Sequence, residues 1–266
     1  MGIHTADAIV LRQYPYRETS ALVSCLTDRF GKVKGIIKGL RAPSRRYRSA
    51  MEPLTLNRVV FYDTRTSSLH LITQCELLAG FPELQQDLGL ARLAASCVEL
   101  AEVVLELDDP QPAVFTLLHR TLQRLAGADA PGPVATRIHF ILRLLRLAGF
   151  QPQLDECTGC GRQRNQRGFW SPKQGGLLCE QCLHEDPKAE EMTPQWFGTL
   201  AACADEEDPT HLDPVVALAI QQRLEEFLRW RLDRPLKTLR SADCGLRIPK
   251  STQSEIQNPK SEISAR

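Results

Sequence analysis

Four cysteines carry the most specific chemistry in this sequence. Cys157 and Cys160 form one Cys-x-x-Cys turn, Cys179 and Cys182 form a second, and eighteen residues separate the two. Two thiolates two residues apart can hold one ion from a tight turn, and two such turns complete a tetrahedron, so the pattern predicts one zinc ion. A catalytic zinc keeps a position open for water, whereas four thiolates leave none; the expected ion is therefore structural. Gly159, Gly161, Gly175 and Gly176 beside the turns favour a metal knuckle over a disulfide pair. His184 could replace one ligand but reads more simply as a surface histidine. The other five cysteines lie in apolar or mixed segments, unlike a secreted disulfide framework, which fits a reducing compartment.

The second constellation is a block of charge. The formal net charge is only +1, yet Arg29 to Arg48 contains eight Lys or Arg and no acid. Within it, Lys32, Lys34, Lys38, Arg41, Arg45, Arg46 and Arg48 could follow a phosphate backbone, with Tyr47 as a ring for base stacking. These are the two ingredients of a single-stranded nucleic-acid groove. Tyr14 and Tyr16, placed in the loop after the first strand, are further stacking candidates. From Glu185 to Asp213 there are nine acids and one Lys, read as a solvated face. Enzyme signatures are lacking: there is no Gly-x-x-x-x-Gly-Lys-Ser/Thr loop, no His-Glu-x-x-His, no Gly-x-Ser-x-Gly, and no His-x-Glu ahead of the knuckles. No catalytic residue is expected.

These groups need elements to position them. Residues 3 to 78 contain five segments rich in Val, Ile, Leu and Thr, broken by turn residues, which predicts a five-stranded closed barrel of the OB type, with an SH3-like barrel second. In "GKVKGIIKGL", Val33, Gly35 and Ile37 alternate with Lys32, Lys34 and Lys38, so the three lysines should share the outer face. From about residue 84 the period becomes helical. Three amphipathic helices, with Gly149 placed to end the third, precede the knuckles, and helices opened by Thr193-Pro194 and Asp213-Pro214 follow. The expected fold class is α+β and multidomain: a barrel over 1–80, a helical bundle over 81–154 and 190–247, an inserted zinc module over 155–189, and a disordered tail over 248–266. No apolar run approaches a membrane span, and a cytoplasmic, nucleoid-associated location is expected.

With a basic barrel, a bundle, and a double knuckle set directly after "LRLAGF", the chain resembles the RecO family of bacterial recombination mediators. The resemblance rests on "TADAIVLRQYPYRETSALVSCLTDRFGKVKGIIKGLR", "LLRLAGFQPQLDECTGCG" and "GFWSPKQGGLLCEQC". It implies an N-terminal OB-fold and a four-cysteine zinc module. It also implies binding of single-stranded DNA and single-strand-binding protein, annealing of complementary strands, and help to RecA loading with RecR and RecF. The acidic, Phe-terminated tail of single-strand-binding protein would then dock on the third helix, where Arg137, Arg143 and Arg146 with Leu142 offer guanidinium groups beside an apolar surface. Alternatives from other classes are a zinc-dependent nucleic-acid-processing enzyme and an interaction scaffold without DNA binding.

Overall fold

Alternation of small and β-branched residues makes the first eighty residues a sheet that closes on itself. The strands are β1 (Ile3–Tyr16), β2 (Ser20–Thr27), β3 (Gly31–Ile37), β4 (Leu56–Tyr62) and β5 (Leu69–Ala79). Their order around the barrel is β1-β2-β3-β5-β4, with β3 and β5 parallel and the other pairs antiparallel. Closure leaves no free edge. This is the computed structural model of the chain, and it describes residues 2–41, 50–63, 69–127, 132–163, 167–205, 208, 211–232 and 236–240. The segment assigned to a disordered tail lies outside the described residues.

The interior holds Ala6, Ala8, Val10, Val23, Cys25, Val33, Ile37, Phe61 and Ile72. Strand β1 carries an irregularity between Val10 and Arg12, after which Arg12 pairs with Ser24 and Tyr14 with Leu22. One extra residue reverses the inward and outward parity. Ahead of it, odd-numbered Ile9 points outward; beyond it, Arg12 and Tyr14 do so. Tyr14 and Tyr16 thus belong to β1, which runs further than the sequence pattern suggested.

The helices are α1 (Pro82–Gln86), α2 (Leu88–Val104), α3 (Pro112–Ala126), α4 (Pro133–Leu147), α5 (Pro194–Asp205), α6 (Pro214–Arg231) and α7 (Lys237–Arg240). Asp87 caps α2 by accepting from Gly89 and Leu90, and Asp213 caps α6 by accepting from Val215 and Val216. Helix α4 ends in a Schellman motif: Gly149 N–H donates to Arg146 O at 3.2 Å and Phe150 N–H to Leu145 O at 2.7 Å, with Gly149 at φ +76°.

Barrel and bundle share one apolar core. Ile9, Leu11, Leu26 and Leu56 pack with the buried faces of α1 to α6. Polar ties reinforce the seam: Ser24 Oγ donates to Glu102 at 2.6 Å, and Asp108 N–H donates to Lys32 O at 2.9 Å. At Gly31, with φ +67°, an added Cβ would sit 1.8 Å from Asp109 O, so this approach requires glycine.

Between α4 and α5 lies a small three-stranded sheet of β6 (Gly168–Ser171), β7 (Gly176–Leu178) and β8 (Glu190–Met192), in the order β7-β6-β8. Adjacent residues of β6 face different cores. Phe169 packs with Cys157, Leu178 and Cys182, while Trp170 packs into the bundle against Trp196 and Phe227, with ring centroids at 5.2 and 5.8 Å.

Candidate metal centre and nucleic-acid face

Each knuckle is folded by its own backbone. In the first, Gly161 N–H donates to Cys157 O at 2.8 Å, and Gly161 takes φ +70°. In the second, Cys182 N–H donates to Cys179 O at 3.0 Å as the chain enters a 3-10 helix, Glu180–Glu185. The parallel register of Gln153 with Gly176 and the bond from Thr158 N–H to Leu177 O hold the first knuckle against the strand leading to the second.

The four sulfurs then converge within 4.8 Å of one another. Cys160 and Cys179 Sγ stand 3.7 Å apart. Tetrahedral zinc with 2.3 Å bonds to sulfur spaces its ligands by about 3.8 Å, so the donor set fits such an ion. Burial opposes ionisation of Cys157, but N–H groups of Cys179, Cys160 and Gly159 outweigh it and bring the thiol down to about 7. Burial and the neighbouring sulfurs push Cys182 up to about 12. A cluster that favours the Cys157 thiolate and resists that of Cys182 needs a cation to ionise both. His184 lies outside this cluster, and its Nδ1 is 2.9 Å from Gln181 O.

On the barrel, the lysines divide. Lys34 is exposed on β3, and Lys38 and Arg41 are exposed in the turn after it. Lys32 lies on the same outer face but is covered by α2; it is 6% exposed, and its Nζ donates to Glu102 O at 2.7 Å. The expectation that it contacts DNA is thereby corrected: alternation gives the face, but not what packs on that face. Arg45, Arg46, Tyr47 and Arg48 lie outside the described residues.

On α4 the partner candidates divide as well. Arg137 is 3% exposed, donates from Nε to Ser96 Oγ at 2.7 Å, and lies 3.2 Å from Glu225, tying α2, α4 and α6 together. Leu142 is fully buried. Neither forms an open contact surface, because the third helix sits in the middle of the bundle with most of its circumference covered. Arg143 and Arg146 remain accessible and converge on the C-terminus of α5. Arg143 Nη1 stands 3.5 Å from Ala204 O and Asp205 O, and Arg146 pairs with the Asp205 carboxylate. Beside them is a cavity of about 200 Å³ lined by Leu142, Arg146, Pro152, Leu154, Ala201 and Asp205.

Sequence reading missed Glu99, a buried carboxylate within the apolar stripe of α2. It accepts from Arg12 at 3.1 Å, Lys237 N–H at 2.9 Å, and Thr238 N–H and Oγ1 at 2.8 and 2.7 Å. Burial opposes its charge, but the Thr238 and Lys237 donors and Arg12 prevail and hold the carboxyl below its ordinary range. An acid at a core position was the available signal.

A family model described as "Recombination protein O N terminal" matches residues 1–81, and one described as "Recombination protein O C terminal" matches 85–240. The chain is similar to curated proteins named "DNA repair protein RecO". That from Myxococcus xanthus is 32% identical over 88% of this chain and 94% of its own length, and that from Symbiobacterium thermophilum is 30% identical over 91% and 100%. Against the protein from Desulfitobacterium hafniense, 31% identical, the match spans 68% of this chain and 65% of that protein.

Proposed function

The chain belongs to the RecO family of DNA repair proteins, and from that premise we propose that it is a non-enzymatic mediator that binds single-stranded DNA through its barrel. The observation that carries this reading is the exposed run of Lys34, Lys38 and Arg41 at the end of β3 on a closed five-stranded barrel. A flexible strand with a charged backbone suits such a surface. The domain limits proposed are 1–80 for the barrel, 81–154 with 190–247 for the bundle, and 155–189 for the module. One structural zinc ion would be held by Cys157, Cys160, Cys179 and Cys182; when bound it supplies cross-linking rather than an open coordination site.

The family premise supports the biology: binding of single-strand-binding protein, cooperation with RecR and RecF in loading RecA, and annealing of complementary strands at the nucleoid. For the acidic tail of single-strand-binding protein, Arg143 and Arg146 offer cations beside the 200 Å³ cavity, whose wall mixes Leu142, Leu154 and Ala201 with Gln151, Gln153 and Asp155. The deciding experiment is a salt series comparing single and double strands. Tighter binding of single strands, with a logarithmic salt slope reduced by roughly 0.7 for each lysine removed at positions 34 and 38, supports the reading. An unchanged slope in Lys34→Gln/Lys38→Gln overturns it.

A further inference from the structure

A groove of about 920 Å³ runs between the barrel and the bundle. Its floor is the outer face of β1, β2 and β3. The pairings Arg12 with Ser24, Ser24 with Lys34 and Lys34 with Leu69 place these residues abreast across four strands. The parity reversal in β1 also brings Tyr14 onto that face, where the residue is 48% exposed. Phe150, Arg231 and Lys237 line the same groove, together with the C-terminal part of α2 and the residues after it. Phe150 is the residue that the Schellman turn of α4 projects beyond the helix, and it is 50% exposed.

We propose that single-stranded DNA held by the barrel continues through this groove, with bases stacking on Tyr14 and Phe150 and phosphates meeting Lys34, Arg231 and Lys237. This extends the barrel reading and rests on it. Two exposed rings lining one groove, in company with cations, supply both recognition chemistries of a sequence-tolerant strand site. The carboxylates of the groove do not oppose it equally. Glu99 is saturated by Arg12, Lys237 and Thr238, and Glu102 accepts from Ser24, which leaves Glu106 exposed at the margin. Near the floor, Arg12 donates to the Tyr14 hydroxyl at 2.9 Å, which steadies the ring in an outward position.

The test is a titration of the full chain with oligothymidylates of about 4 to 16 nucleotides, the range of site sizes for a single OB fold. Tyr14→Ala and Phe150→Ala should each weaken binding of the longer oligomers by roughly 5- to 100-fold, whereas Tyr14→Phe and Phe150→Trp, which keep a ring, should retain it. Lys237→Gln should lower the logarithmic salt slope by roughly 0.7. Thermal melting of each variant controls for folding. Wild-type affinity of both alanine variants at every length, with a normal Lys237→Gln slope, overturns the groove path; if Lys34→Gln still flattens the slope, the barrel reading survives. If Lys34→Gln also leaves the slope unchanged, both fail together.

Discussion

Lys32 and Lys34 are two residues apart on one strand face and have different work. Lys32 bonds the C-terminal turn of α2, so Lys32→Met should lower stability by roughly 1.5 to 3 kcal/mol, the range for a hydrogen bond to a charged group, and leave the salt slope of DNA binding unchanged. Lys34→Gln should do the reverse. Chemical denaturation and a salt series on the two variants check this pair. Glu99 gives a pH prediction. Its folded pKa is depressed, so the stabilisation it provides is complete above its unfolded value of about 4.3 and is lost as pH falls through the lower folded value. Melting temperature measured from neutral pH down to about 3 should therefore converge for wild type and Glu99→Gln at the acid end, with the wild type higher at neutral pH.

The zinc module has little apolar core of its own, and the α4–α5 contact, apolar inside, turns polar where it meets solvent. The strands are anchored to the bundle by Trp170, Leu177 and Met192, but on the knuckle side only Cys157, Phe169, Leu178 and Cys182 form a buried cluster, too few to hold the two knuckles together without a cross-link. Cys160→Ser, or chelation of the wild type, should release the metal and expose the module's backbone amides to exchange while those of β1 to β5 stay protected. Metal analysis with hydrogen exchange checks it. At the other contact, Arg143 and Arg146 already face the carbonyl end of α5 and Asp205, a favourable position for cations. An acidic peptide must displace Asp205. Asp205→Asn should thus tighten binding of an acidic, Phe-terminated peptide and Arg143→Glu should weaken it, as read by fluorescence anisotropy.

At the scale of the whole molecule, the barrel is not self-contained, because Ile9, Leu11, Leu26 and Leu56 are buried by the bundle. A fragment of residues 1–80 exposes all four, at roughly 1.5 to 3 kcal/mol each, and should melt below the barrel in the full chain or aggregate, as followed by circular dichroism and light scattering. That shared core also explains what the sequence could and could not disclose. The barrel, the long helices and the convergence of the four thiols were legible because each follows from local period or spacing. The covering of Lys32, the burial of Arg137 and the bundle-facing side of β1 were not, since each depends on which element packs over the residue. Tyr14 was misplaced for a related reason: the irregularity at Val10–Arg12 breaks the alternation by which a strand is recognised. Glu99 joins the two ends of this architecture, and it does so across time as well as space. Arg12 is already made when Glu99 leaves the ribosome, but the Thr238 donors lie 139 residues later. At about 5 to 20 residues per second, translation leaves that carboxylate without three of its donors for roughly 7 to 28 s. During this interval Glu99 itself has Arg12 alone among these donors, which makes the last-synthesised described turn the clasp that completes a seam begun by the first-synthesised domain.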